Sequence, residues 1–134
     1  VCSNFKTINY TTTINYELYT INFKIKNMKR YCQTQTITND PELIEKYVEV
    51  HSHVWPEIIE GQREVGILDM QIFIKGNLLF MICDTTDEFD WDRDMARLAT
   101  LPRQAEWEAY VAQFQGCRAD ARSDEKWQMM ERIF

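Results

Sequence analysis

The stretch that decides the fold is ILDMQIFIKGNLLFMICD, residues 67–84. Two runs rich in β-branched, aliphatic and aromatic side chains, 67–74 and 78–84, flank the short turn Lys75-Gly76-Asn77. Runs of this kind on either side of a glycine-containing turn are typical of an antiparallel β-hairpin. The sequence therefore predicts two adjacent strands in the middle of the chain.

Upstream of the hairpin, the pattern predicts one strand and then a helix. Residues 29–37 alternate between two faces as a strand does. Asn39 or Asp40 can cap the helix that follows, and Pro41 suits its first turn, where a missing N–H is tolerated. We expect this helix over about residues 42–54, before a short second helix that opens near Pro56.

Downstream, a second helical region and a last strand complete the order β-α-β-β-α-β. The helical region is expected over about residues 89–114, with an interruption at Leu101-Pro102, and the strand over 126–134. This order predicts an α+β fold of the ferredoxin-like split βαβ type, with a four-stranded antiparallel sheet and both helices on one face. Pairing of two such sheets into a dimer is the usual way to cover apolar residues on the open face.

Composition narrows the class of protein. The chain has 134 residues, enough for one domain, and a net charge of −6 without any block of five like charges, so we expect no nucleic acid and no anionic membrane as partner. No apolar run approaches the roughly 20 residues of a membrane span. The four cysteines are far apart and form no CxxC pair, which predicts reduced thiols and a cytoplasmic location.

The first 27 residues differ in composition from the rest. They are mostly Asn, Thr, Ile, Tyr, Lys and Phe, and they contain no Ala, Gly, Pro, Arg, Asp or Gln. We therefore expect residues 1–27 to be a non-native or disordered extension, translated from AT-rich upstream sequence, and the natural protein to begin at Met28. The alternative is a genuine β-rich tail, because Thr, Ile, Tyr and Phe favour strands. Residues 28–134 are expected to form the domain.

The chemistry concentrates on the first predicted helix. Tyr47, His51 and Trp55 are spaced i, i+4 and i+8, which places a phenol, an imidazole and an indole along one helical face. Sugars bind between aromatic faces of this kind, and His51 is suited to general acid catalysis near neutral pH. The alternative is that these side chains are core residues. His53 falls on another side of the helix, so the two histidines predict no metal site.

A longer pattern resembles the L-rhamnose mutarotase family over residues 28–134. The matching residues are the string Tyr47-x-x-x-His51-x-x-x-Trp55-Pro56-Glu57, then Gly66, Asn77-Leu78-Leu79-Phe80, and Trp107 before a closing Trp/Met-rich segment. The resemblance implies a dimeric α/β barrel of ferredoxin-like protomers. It also implies an isomerase, free of cofactor and metal, that interconverts the α and β anomers of a deoxyhexose, with L-rhamnose as the first candidate and L-fucose as the alternative.

The resemblance also implies roles for individual residues. His51 matches the family's proton donor, and Tyr47 and Trp107 match sugar-contacting positions. The chain departs from enterobacterial members at two such positions. It has Met70, beside Asp69, where they have a tyrosine, and Glu108 where they have a second tryptophan. We expect all three of these side chains near the sugar, whose identity the departures leave open.

The reaction itself requires two proton transfers, which we expect different residues to carry out. Mutarotation requires one proton delivered to the ring oxygen and another removed from the anomeric hydroxyl. We expect His51 to act as the acid at the ring oxygen, and Asp69 or Glu108 to assist at the anomeric hydroxyl, directly or through water. Two other classes stay open: a monooxygenase on the same dimeric barrel and a non-catalytic sugar-binding module.

Overall fold

The computed structural model describes residues 27–134, which form one sheet with helices packed against one of its faces. The expectations for residues 1–27 lie outside the described residues, apart from Asn27. The elements are β1 (Met28–Thr36), α1 (Pro41–His51), α2 (Pro56–Val65), β2 (Ile67–Lys75), β3 (Leu78–Thr86), α3 (Trp91–Leu98), α4 (Gln104–Gln115), α5 (Ser123–Lys126) and β4 (Gln128–Met129).

The four strands lie in the order β2-β3-β1-β4, and every neighbouring pair is antiparallel. This is the order of the ferredoxin-like split βαβ fold, so the predicted fold class is confirmed. The predicted hairpin is present as β2 and β3, with Phe73 opposite Phe80. Gly76 occupies the turn with a φ of 60°, a value that glycine adopts without the steric cost that a side chain would bring.

The core lies between the sheet and the helices. Leu79, Met81 and Cys83 alternate along β3 toward the helices, and none of them is more than 3% exposed. Phe80 and Ile82 point to the opposite, open face of the sheet, as the period of two in a strand requires. The central strand is therefore apolar on both sides, and only one side is covered within the protomer.

The first helix is shorter than predicted, and this changes the position of Trp55. Helix α1 ends at His51, and Trp55 is the N-cap residue of α2, with an extended backbone at ψ 139°. Steric contact with the ring of Pro56 disfavours the helical conformation for the residue before it, which is Trp55. The expectation of a single helix that carries Tyr47, His51 and Trp55 in one row was therefore wrong.

The predicted last strand over residues 126–134 was also wrong in its extent. Only Gln128 and Met129 pair with β1, followed by one further backbone bond from the Met130 N–H to the Cys32 carbonyl. Residues 123–126 form a single helical turn instead. Ile133 and Phe134 are almost fully exposed, so the apolar alternation of this segment has nothing to pack against within the protomer.

Candidate active site

A cavity of about 230 Å³ opens between the sheet and helices α1, α2 and α4. Five of the six residues predicted for the site lie on its wall, and they come from α1, β2 and α4. These residues are Tyr47, His51, Met70, Trp107 and Glu108. The sixth, Asp69, does not. The volume is below the roughly 300–1,000 Å³ of typical drug-sized sites, which fits a small ligand such as a single sugar ring.

His51 is held in one tautomer by its own helix. Its Nδ1 lies 2.8 Å from the backbone carbonyl oxygen of Tyr47, one turn earlier. A carbonyl oxygen only accepts hydrogen bonds, so Nδ1 carries a proton and donates it. The free ring nitrogen of His51 is therefore Nε2. In the neutral imidazole this atom is a base, and in the imidazolium it is an acid.

The surroundings of His51 favour the neutral form. Burial lowers the pKa of the imidazole, the hydrogen bond to the Tyr47 carbonyl opposes this shift, and the positive charge of Lys126 adds to it. The side chain therefore stays neutral to a lower pH than an exposed histidine. At neutral pH, Nε2 is an unprotonated base.

Tyr47 presents a buried phenol without a partner. The residue is only 2% exposed, and no described residue makes a hydrogen bond with its hydroxyl group under ordinary geometric limits. Burial raises the pKa of the phenol strongly, and the neighbouring Gln115 amide only partly offsets this shift. The hydroxyl group therefore stays protonated throughout the physiological range and is available as a donor.

Aromatic packing fixes the indole of Trp107 in the wall. Its ring meets His51 edge-on at a centroid distance of 5.6 Å and Trp55 edge-on at 5.1 Å. Trp55 in turn stacks on Tyr110 at 5.7 Å, and the guanidinium carbon of Arg103 lies 4.1 Å from the centre of the Trp55 ring. Trp55 is thus a support behind Trp107 and not part of the cavity wall.

Glu108 lies on the wall, but both of its carboxylate oxygens are engaged. Oε2 accepts from the Lys126 ammonium at 2.7 Å, and Oε1 accepts from the Gln104 amide at 2.9 Å. The Lys126 side chain is only 1% exposed, so the ion pair is buried. Both oxygens of this carboxylate therefore already accept hydrogen bonds from side chains of the protein itself.

Neighbours in sequence, Asp69 and Met70 lie on opposite faces of the sheet. Met70 faces the helices and the cavity, where its sulfur lies 3.7 Å from the amide nitrogen of Gln62. Asp69 is exposed on the open face opposite Asp84, and its carboxylate accepts from Gln71 at 2.7 Å. Within one protomer, Asp69 therefore does not reach the residues around His51.

Comparison with known proteins gives the family. A family model described as L-rhamnose mutarotase matches residues 30–134. The chain belongs to the L-rhamnose mutarotase family.

Two relatives of this chain are named as mutarotases of different sugars. An L-fucose mutarotase of Xanthomonas campestris pv. campestris is 34% identical over 110 residues, which cover 81% of this chain and 88% of the relative. An L-rhamnose mutarotase of Sinorhizobium fredii is 32% identical over 83 residues, which cover 60% and 76%. The crystal structure of an L-rhamnose mutarotase from Formosa agariphila superposes with a TM-score of 0.61 at 18% identity, over 79% of this chain and 96% of that one, which shows the shared fold.

Four further residues on or beside this cavity were not predicted from the sequence. Gln104 and Gln115 bring amides to its wall, Trp127 brings an indole, and Lys126 holds Glu108 from behind. Lys126 and Glu108 are 18 positions apart, and no local pattern pairs them. A lysine just before a closing apolar segment was the only indication, and an exposed position is the ordinary expectation for it.

A cluster of metal-ligating side chains and a membrane-spanning helix are both absent from residues 27–134. No three His, Cys, Asp or Glu side chains converge in this part of the chain. No helix in the same range has the length and hydropathy needed to cross a membrane.

Proposed function

We propose that this protein is an isomerase that interconverts the α and β anomers of a 6-deoxyhexose, either L-rhamnose or L-fucose. Membership of the family supports the reaction class, and the names of its relatives support both sugars. The cavity supports it as well, because it offers an aromatic wall for the C–H face of a sugar and several polar groups for its hydroxyls.

The observation that carries the proposal is the fixed tautomer of His51. With Nδ1 donating to the Tyr47 carbonyl, Nε2 is the atom free to exchange a proton with a ligand. In ring opening, neutral His51 takes the proton of the anomeric hydroxyl. In reclosure, the resulting imidazolium returns it to the carbonyl oxygen, on either face, which yields either anomer. His51 thus acts as a base and then as an acid, and no proton is gained or lost overall.

Tyr47 is the complementary donor in this proposal. The ring oxygen becomes an alkoxide as the C1–O5 bond breaks, and it needs a proton at that moment. The phenol of Tyr47 is unpartnered and stays protonated, and its ring centre lies 4.1 Å from that of His51. Tyr47 gives its proton to O5 and recovers it on reclosure. The earlier assignments of His51 to the ring oxygen and of Glu108 or Asp69 to the anomeric hydroxyl give way to this arrangement.

The test is saturation-difference NMR of the anomeric protons of L-rhamnose and L-fucose. We expect the protein to accelerate exchange for at least one sugar, and His51→Ala to reduce the rate by about 10²–10⁴-fold, the usual contribution of general acid–base catalysis. His53→Ala is the matched control, because His53 is exposed and lies outside the cavity. Absence of acceleration with both sugars, or full activity of His51→Ala, would contradict the proposal.

We also propose a homodimer in the cytoplasm. The open face of the sheet carries the half-exposed side chains Phe73 and Leu78 beside Phe80 and Ile82, and a second copy of the same face is the occupant that the family resemblance implies. Cys32, Cys83 and Cys117 are free thiols, which is consistent with a reducing compartment.

A further inference from the structure

We propose that Gln104 is a specificity-determining residue, whose side-chain carbonyl accepts a hydrogen bond from a ring hydroxyl of the sugar. The inference rests on the proposed mutarotase activity and goes beyond it, because neither the family motif nor the proton-transfer pair includes Gln104. It concerns the part of the cavity wall on α4 that lies beside Glu108.

Gln104 is buried, and only one of the two polar atoms of its amide group has a hydrogen-bond partner among the described residues. The residue is 5% exposed and lies on the wall of the same cavity as His51. Its amide nitrogen donates to Glu108 Oε1 at 2.9 Å, and no described residue donates to its Oε1. A buried acceptor without a donor is unfavourable, by an amount that a ligand hydroxyl can recover.

The orientation of this amide follows from chemistry. A carboxylate only accepts hydrogen bonds, so the NH₂ group of Gln104 must face Glu108 and the carbonyl oxygen must face away from it. Glu108 is itself fixed by Lys126. The Lys126 Nζ donates to Oε2 of the Glu108 carboxylate at 2.7 Å and to the backbone carbonyl oxygen of Glu108 at 2.9 Å. Lys126 and Glu108 are therefore positioning residues that hold Gln104 as an acceptor.

An acceptor held in this way discriminates between sugars. A hydroxyl at the matching ring position supplies the missing donor, whereas a sugar that lacks this hydroxyl leaves Oε1 unpaired in a dry site. Sites built to bind a hydroxyl reject analogues without it more strongly than apolar pockets reject an extra group. Gln104 thus contributes to the choice among 6-deoxyhexoses rather than to proton transfer.

The experiment compares Gln104→Met with the wild type on the faster of L-rhamnose and L-fucose and on its 2-, 3- and 4-deoxy analogues. Methionine keeps the length of the side chain and removes both polar atoms. We expect kcat/KM for the parent sugar to fall by about tenfold, the equivalent of one good hydrogen bond. For the one analogue that lacks the bound hydroxyl, we expect wild type and variant to be equal. Gln113→Met, at an exposed position of the same helix, is the matched control.

The outcomes separate this proposal from the proposed function. An active wild type, with the same loss in Gln104→Met for the parent sugar and for all three analogues, would overturn the role of Gln104 and leave the mutarotase activity standing. A wild type inactive on both sugars would overturn the proposed function and the inference together.

A second variant covers the case in which Gln104→Met does not fold. Glu108→Gln replaces a pure acceptor by an amide that both donates and accepts, so the Gln104 amide is free to turn over. We expect this variant to lose discrimination between the parent sugar and the same deoxy analogue. Unchanged discrimination would count against the proposal.

Discussion

At the scale of single residues, the two proposed proton-transfer groups, Tyr47 and His51, lie one helical turn apart on α1. The imidazole of His51 is oriented by the backbone of Tyr47, not by its phenol. The hydroxyl of Tyr47 therefore takes no part in orienting His51, and the two side chains can be tested separately.

Tyr47→Phe is the sharper of these tests. It removes one buried hydroxyl that has no partner among residues 27–134 and keeps the aromatic ring and the carbonyl that orients His51. We expect the free energy of unfolding to be unchanged or slightly higher, because a buried, unsatisfied polar group is lost. We expect anomer exchange to fall by about 10²-fold or more. Denaturant titration and NMR exchange on one sample measure both, and a stable variant of full activity would exclude Tyr47 as the donor.

The lowered pKa of His51 also predicts how the free energy of unfolding depends on pH. Burial lowers its pKa in the folded protein, so in the interval between that value and the unfolded value of about 6.5 the unfolded chain binds more protons. The contribution of neutral His51 to the free energy of unfolding is complete above pH 6.5 and is lost as the pH falls through the folded-state pKa.

Urea titrations of wild type and His51→Gln between pH 8 and pH 5.5 measure this effect. The wild type should lose stability relative to the variant as the pH falls, and His53 cancels because both proteins contain it. A difference that stays constant over the interval would argue against a lowered pKa.

Part of the site was predictable at this scale. The i, i+4 spacing of Tyr47 and His51 was sufficient to place both on one helical face, because a helix of that length needs no tertiary information to align them. The pairing of Glu108 with Lys126 was not predictable, because it depends on how α5 folds back onto α4. The period of two in the predicted strand 67–74 already places Asp69 and Met70 on opposite faces, but the sequence alone did not show which of the two faces the helices.

At the scale of elements, the helix that carries the site begins at a well-formed cap. The Asp40 carboxylate accepts from the backbone N–H groups of Glu42, at 2.9 Å, and Leu43, at 3.4 Å. The sequence allowed either Asn39 or Asp40 as the cap, and the structure selects Asp40.

Asp40→Ala should lower the free energy of unfolding by about 1 kcal/mol, since two backbone donors of the first turn lose their acceptor. Asn39→Ala is the control and should change it by less than about 0.5 kcal/mol, the usual limit for a surface substitution. Thermal or urea unfolding followed by circular dichroism measures both. Equal losses in the two variants would show that the cap does not determine the stability of α1.

The elements also differ in how well the sequence predicted them. The hairpin of β2 and β3 is local, and its turn residues and strand pattern lie within 20 positions, so the prediction was accurate. The extended backbone of Trp55 follows from the proline directly after it, whereas the extent of β4 depends on where an edge strand stops finding a partner. Only the second of these requires the assembled sheet.

At the scale of the whole molecule, the sheet has one covered and one open face. Phe73 is 52% exposed on the open face, where it lies on the edge strand β2 beside Phe80 of β3. If this face pairs with a second copy, Phe73→Glu places a charge in the interface and should shift the protein from dimer to monomer.

Sedimentation velocity measures this shift. Val48→Glu is the matched control, because Val48 is 49% exposed on α1, on the other side of the sheet, and should leave the dimer intact. A wild type that sediments as a monomer, or a Phe73→Glu variant that remains dimeric, would argue against this face as the interface.

The placement of the tryptophans has an optical consequence. Of the four indoles, Trp107 and Trp127 line the cavity and Trp55 contacts Trp107, while Trp91 packs elsewhere, against Tyr31. Three of the four indoles therefore lie in or beside the cavity proposed to bind the sugar. If a sugar binds in this cavity, we expect the titration of an unlabelled monosaccharide to change the intrinsic tryptophan fluorescence of the protein.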